Sequence, residues 1–366
     1  MQRSFQPLRF ADSVETIDPS EADTAAKLRE ELRSIMLTTQ KDYRHGVRSV
    51  HAKSHALLEG VLRVKDGLPP QYQQGLFASP RDYPVVIRYS TIPGDLLSDA
   101  VSVPRGFAMK VIDVQGPRLA GSEADATQDF VFANGPAFSA PNPAKFLSSL
   151  SLLAKTTDKA EWAKKALSSV LRRVERGVEA VGGNSPLLNT LGGYPLTNPA
   201  SDTFYSQTAF RYGDYIAKFS IAPASQNLKA LEGKEFALDG RDDAWRDEMT
   251  KLFANEGAAW ELRVQLRTDA EKMPIEDASV VWPEDLSPYM AVATIEVTPQ
   301  RAWSKERASI GDDQLAFSPW HGLAAHRPLG AVNRVRKDAY KMSAEIRGAY
   351  NKCPIHEPRE KVALPE

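Results

Sequence analysis

Two stretches far apart in the chain hold residue types that can do acid–base and metal chemistry together: Arg48-Ser-Val-His51-Ala-Lys53 and Arg336-Lys-Asp-Ala-Tyr340. Arg336 and Tyr340 are four residues apart and Arg347 follows seven later, so all three share one helical stripe. A tyrosine ionises near about pH 10, so it ligates a metal at neutral pH only with strong help. A ferric ion supplies most of that help, and a guanidinium one turn away stabilises the phenolate further. His51 supplies the complementary function: an imidazole facing a bound peroxide can take its proton and return it to the leaving oxygen. Arg88-Tyr-Ser90-Thr91 ends an apolar run. A serine there can bond the other ring nitrogen and fix its tautomer, while the arginine pairs with an anionic group. Each piece also has a plainer reading. Arg-x-x-x-Tyr describes a helix with a buried tyrosine and surface arginines; His51 fits a hydrogen-bonded surface histidine; Arg88 to Thr91 fits a strand ending in polar residues.

The elements that must position these groups follow from periodicity. Leu28, Leu32, Ile35 and Met36 recur at helical intervals between Ser20 and Arg44. Ala56 to Val64, Tyr83 to Ser90, Gly106 to Ile112 and Gln128 to Ala133 read as short strands separated by Gly, Pro and Asp. Helical texture returns between Ala144 and Val181. A second strand block follows, with Phe204 to Phe210, Tyr215 to Ile221, Trp260 to Arg267 and Met290 to Val297. After Pro328 the pattern is helical through about Tyr350. Two strand blocks around a helical excursion predict an antiparallel β-barrel or sandwich with added helices, and pattern alone leaves those two open.

Composition bounds the function. Of 366 residues 42% are hydrophobic and 25% charged, as in an ordinary globular protein. Lys plus Arg (46) nearly balances Asp plus Glu (47), which argues against nucleic acid as a partner. The single cysteine, Cys353, excludes an intrachain disulfide and a multi-thiolate metal site. No histidine pair with a carboxylate has zinc-type spacing. No run is long enough to span a bilayer and no secretory core opens the chain, so a cytoplasmic location without membrane insertion is expected.

Taken in order, these pieces resemble the haem catalase superfamily. Arg48-Ser-Val-His51-Ala-Lys resembles its distal-histidine segment, and Arg88-Tyr-Ser90-Thr its Arg-Phe-Ser-Thr strand end. Pro104-Arg-Gly-Phe-Ala-Met-Lys110, Val281-Trp-Pro283 and Gln314-Leu-Ala-Phe-Ser-Pro319 match in kind and order. Arg336-x-x-x-Tyr340, with Arg347 beyond it, takes the proximal position. The similarity covers roughly residues 45 to 350. It implies an α+β fold: an antiparallel β-barrel of the haem catalase type with surrounding helices and a C-terminal haem-ligating helix. An arm and helix would occupy 1–45, the barrel with a helical insertion 46–320, and the helical segment carrying the proximal tyrosine 321–366.

The resemblance further implies haem b, with Tyr340 as axial iron ligand and Arg336 tuning it. His51 would be the distal acid–base group held by Ser90, and Arg48, Arg88 and Arg347 would pair with the haem propionates. Residues three apart on a regular strand face opposite ways, so Arg48 and His51 both reach haem only if the chain there is irregular. Ala133-Asn-Gly-Pro-Ala-Phe138 resembles the distal asparagine segment, where a gapless match selects Ala133 and a one-residue slip selects Asn134. Asn134 is the expectation, because its amide can hydrogen-bond a peroxide and a methyl cannot; the plainer reading is an ordinary Asn-Gly turn. Phe138 and Phe146 fall where the family places aromatics against haem. The short tail after Tyr340 departs from large catalases and implies that their C-terminal helical extension is missing. The expected activity is haem-dependent peroxide decomposition, with a peroxide as the small-molecule partner. The alternatives are conversion of fatty-acid or other organic hydroperoxides, or a non-catalytic haem-binding barrel. The arm at 1–45 implies, by analogy, a homodimer.

Overall fold

Period-two alternation builds the centre of this molecule. In β1 (Ser54–Val64), β2 (Asp82–Thr91), β3 (Arg105–Ile112) and β4 (Thr127–Ala133), one parity of residues is apolar and faces a common interior. The same holds in β7 (Tyr215–Pro223), β8 (Ala258–Leu266) and β9 (Met290–Val297). Leu58, Ile87, Tyr89, Phe107, Phe132, Phe219 and Trp260 all point inward and are fully or almost fully buried. The computed structural model describes residues 6–154 and 194–366.

The strands run in the order β5-β4-β3-β2-β1-β9-β8-β7-β6, every pairing antiparallel. The short β5 (Phe204–Tyr205) pairs with both β4 and β7, so eight strands close on themselves. The result is a barrel, not a sandwich. Closure leaves no long open edge, and bulky apolar side chains fill the lumen.

One strand departs from the sequence reading. Phe204 to Phe210 is not continuous but splits into β5 and β6 (Phe210–Tyr212). Gln207 turns the chain with a φ of 62°, and its side-chain amide donates to the carbonyls of Gly135 and Ala137. Two helices also lie inside the second strand block, α3 (Gln226–Leu231) and α4 (Ala244–Asn255). α4 buries Trp245, Met249 and Phe253 at four-residue spacing.

α1 (Glu21–Tyr43), α2 (Pro143–Ala154) and α6 (Ala331–Asn351) form a helical layer outside the barrel. Leu28, Leu32, Ile35, Leu150 and Ala339 make its apolar seam. The helical texture expected beyond Ala154, to Val181, lies outside the described residues. Between barrel and C-terminal helix, α5 (Lys305–Ser309) runs directly into a π-helical turn, Ile310–Gln314. The first segment folds back on its own chain: Leu8 and Phe10 bond to Arg267 and Asp214 backbone, and Glu15 pairs with Arg327 and Arg334. Among the described residues no helix is long and apolar enough to cross a membrane.

Candidate active site

The outward faces of β2, β3 and β4 carry unusually small residues where α6 approaches. Strand register aligns them in rows: Ser90 opposite Gly106 opposite Ala133, then Arg88 opposite Ala108 opposite Val131. A shallow floor results. Over it lies a cleft, part of it open to solvent, lined on the far side by Tyr340, Ser343, Ala344 and Arg347 of α6.

The segment before β1 closes one end of this cleft. It is tied to α6, with Ser49 N donating to Ser343 Oγ (3.2 Å) and Gly46 N to Asn351 Oδ1 (2.7 Å). His51 has a left-handed backbone with a φ of 56°, uncommon for a residue with a Cβ. That kink is the irregularity the sequence required. It sends both Arg48 and His51 into the cleft. His51 Nδ1 lies 3.0 Å from Ser90 Oγ. The ring rests on Gly106, where an added Cβ would come within 2.5 Å of both Cε1 and Nδ1. Burial lowers the His51 pKa to about 3, and the guanidiniums of Arg88, Arg336 and Arg48 push the same way.

Facing it, Arg336 Nη2 donates to Tyr340 Oη at 2.9 Å. Arg336 is itself held, with Nη1 donating to Asn333 Oδ1 (3.1 Å). Asn333 is fully buried, anchored by Thr208 Oγ1 and by the carbonyls of Ala209 and Leu329. Neither Asn333 nor Thr208 is marked by sequence pattern.

Three guanidiniums gather at the side of the cleft. Arg48 donates to the carbonyls of Gly311 (2.6 Å) and Leu315 (2.9 Å), and Arg88 to those of His51 and Ala52. Asp312, which the sequence reading missed, accepts from both arginines. Among the described residues Arg347 makes one bond, to Leu315 O at 3.2 Å, and its Nε and Nη1 are buried without a partner. Burial lowers the Arg347 pKa to about 10 and holds Arg48 well below the ordinary guanidinium range.

Seven of the ten residues named from sequence therefore converge here: Arg48, His51, Arg88, Ser90, Tyr340 and Arg347 line the cleft, and Arg336 reaches it through Tyr340. Asn134 does not. Its Oδ1 accepts from Arg105 N (2.8 Å) and its Nδ2 donates to Asp202 (3.0 Å), so its amide is consumed away from the cleft. Ala133 stands opposite Gly106 in the row with Ser90, and neither it nor Asn134 is among the residues lining the cleft. Phe138 and Phe146 pack on each other at 5.0 Å, and Phe146 joins the helical seam with Val50 and Ala339; neither is among the cleft-lining residues.

The donor set suits a hard trivalent metal with an anionic macrocycle: one phenol oxygen, a neutral imidazole opposite and an excess of arginines. Elsewhere, Asp129, His321 and Glu357 bring three ligand atoms within 4.8 Å. An ammonium already sits there, since Lys110 Nζ donates to Asp129 (2.7 and 2.9 Å) and to Glu357.

Among solved structures, a fungal catalase matches with a TM-score of 0.59 at 17% identity, over 96% of this chain and 67% of its own. A bacterial catalase gives 0.59 at 17%, over 89% and 62%. Catalase A from Saccharomyces cerevisiae gives 0.57 at 17%, over 96% and 69%. The chain thus spans between 62% and 69% of the length of these proteins. No family model and no curated protein matches it in sequence. At this identity the likeness is one of architecture: the chain has the catalase-type fold, a closed eight-stranded antiparallel barrel with surrounding helices.

Proposed function

We propose that the cleft binds haem b and that the chain decomposes peroxides, with Tyr340 as axial ligand and His51 as acid–base group. The observation carrying this reading is the meeting of two hydrogen-bonded pairs, His51–Ser90 and Arg336–Tyr340, across one cleft flanked by three arginines. Arg48, Arg88 and Arg347 would hold the two propionates, and Arg347 has unpartnered N–H groups for that purpose. Bound haem supplies the redox centre for breaking the O–O bond.

The rest is work for the chain's own side chains. Arg336 Nη2 donates to Tyr340 Oη and so fixes the position of that oxygen at the cleft. Gly106 and Ser90 fix the imidazole; with Nδ1–H donating to Ser90 Oγ, Nε2 keeps its lone pair. Burial and the guanidiniums of Arg88, Arg336 and Arg48 favour the neutral ring, which keeps that lone pair available. Nε2 would take the hydroperoxide proton and return it to the leaving oxygen, which departs as water or an alcohol, while the haem, when bound, would supply the two electrons that O–O cleavage needs and retain the other oxygen.

The engagement of the Asn134 amide away from the cleft favours a second reading of the substrate. Without that amide a small peroxide loses a hydrogen-bonding partner, whereas an organic hydroperoxide can be held by its apolar body. Absorption spectra of haem-loaded wild type and Tyr340→Phe test the site. A high-spin ferric spectrum altered by the substitution is expected, with turnover of hydrogen peroxide or a fatty-acid hydroperoxide in the same sample. An unchanged spectrum, or haem well below one equivalent, defeats the assignment.

A further inference from the structure

Asp312 sits in the π-helical turn Ile310–Gln314, where the wider winding aims its carboxylate at the three arginines. Its Oδ1 accepts from Arg48 Nη1 (3.0 Å) and Arg88 Nε (2.8 Å), and its Oδ2 from Ser54 Oγ (2.7 Å). The neighbouring Asp313 turns outward to His45 and Asn351. All other acceptors on these guanidiniums are backbone carbonyls, which satisfy N–H groups without neutralising charge. Among the described residues, Arg48 and Arg88 thus share one bonded carboxylate and Arg347 has none, so these three cations exceed their bonded negative charge by two.

We infer that Asp312 is a resident stand-in for a ligand carboxylate: it fixes Arg48 and Arg88 and offsets part of their charge whenever no dicarboxylate is bound, leaving room for two carboxylates. The inference rests on the haem reading above and adds a positioning residue to it. Like charges this close, in a site that water reaches poorly, repel strongly unless an anion is shared among them. With Asp312 in place the arginines are pre-arranged; without its charge they depend on the ligand to be tolerated.

Asp312→Asn removes the charge and little else, since the amide oxygen still accepts and the amide nitrogen can donate to Ser54 Oγ. The experiment follows thermal unfolding of the full chain with metal-free protoporphyrin IX, and separately with its dimethyl ester. Using a metal-free probe keeps iron ligation by Tyr340 out of the comparison. Alone, D312N should melt below wild type. The dicarboxylate should raise its midpoint by about 2–4 °C more than it raises that of wild type, while the diester shifts both equally. Equal shifts with the dicarboxylate would reduce Asp312 to a structural residue and overturn the inference, as would a diester that restores D312N equally well. If D312N fails to fold alone, refolding rescued by the dicarboxylate and not by the diester supports the inference, and rescue by neither overturns it. A wild type that responds to neither porphyrin sinks the haem reading itself, and this inference with it.

Discussion

Gly106→Ala is the most economical probe of the distal side. The residue lies in β3 with ordinary strand geometry, so an alanine meets no backbone strain, only the contact its methyl makes. That methyl would come within 2.5 Å of His51 Cε1 and Nδ1 and 3.0 Å of Ser90 Oγ, whereas ordinary contact starts at 3.4 Å. The imidazole must retreat by roughly 1 Å, which takes Nδ1 out of reach of Ser90 Oγ from its present 3.0 Å. A 1 Å misplacement of a reacting group costs about 10²-fold in rate, or about 3 kcal/mol of barrier. Overpacking should cost the fold about 1–3 kcal/mol, leaving it intact. Tyr340, Arg336 and the arginines stand on other elements, so haem uptake should persist. Peroxide turnover of haem-loaded G106A, normalised to haem content by absorption, is the assay. A variant that is folded, haem-replete and within about twofold of wild type would refute the claim that Gly106 positions His51.

Two further predictions concern pH and stability, and they oppose each other. His321, 3.1 Å from Glu357 Oε1 and 3.3 Å from Asp129 Oδ2, has its pKa raised to about 9, although burial works against this. Its stabilisation, about 3 kcal/mol, is complete below the unfolded pKa of about 6.5 and disappears as pH rises through 9; unfolding midpoints of His321→Gln should lack that decline. Lys218 is buried on the outer face of β7 with Val280 O (3.0 Å) and the Trp282 ring for company, and burial lowers its pKa to about 7. Its folded pKa lies below the unfolded value, so wild type gains stability as pH rises from 7 towards 10.5; Lys218→Met should melt higher at pH 7, by at most the equivalent of about 5 kcal/mol, and lose that gain. A lowered midpoint in denaturant for K218M at pH 7 would contradict this.

How much of the site was legible in the sequence depended on the kind of regularity involved. The barrel strands announced themselves by period-two alternation, and the Arg336–Tyr340–Arg347 stripe by helical spacing, because both periods follow from backbone geometry alone. The need for an irregular backbone near His51 was also deducible, though not that His51 itself would carry the positive φ. The distal asparagine was not legible: Ala133 and Asn134 differ by one position, and one position on a strand exchanges faces. The pairing of Ala133 with Gly106 fixes the faces, and the Asn134 amide is engaged by Arg105 N and Asp202. Asp312 was invisible for another reason. It is one of two adjacent aspartates in a stretch without periodicity, and its partners Arg48, Ser54 and Arg88 lie more than 200 residues away.

The buried charges of the molecule, compared with one another, give the strongest physical reason to look for an anion at this cleft. Lys110 is matched by Asp129 and Glu357, and Lys53 by Asp99 and Asp243. These clusters are closed: the cations are compensated on the spot, as buried charges must be if the fold is to tolerate them. Lys218, Arg267 and Arg307 also lack a bonded carboxylate, but they face backbone carbonyls, the Gln300 amide and the Trp282 ring and are not among the cleft-lining residues. Arg48, Arg88 and Arg347 are different in kind. Among the described residues one bonded carboxylate serves Arg48 and Arg88 and none serves Arg347; all three line the cleft, and Arg347 keeps two buried N–H groups without acceptors there. Structural economy alone would have selected neutral side chains there, so the excess charge makes sense as half of a complex whose other half is a dicarboxylate.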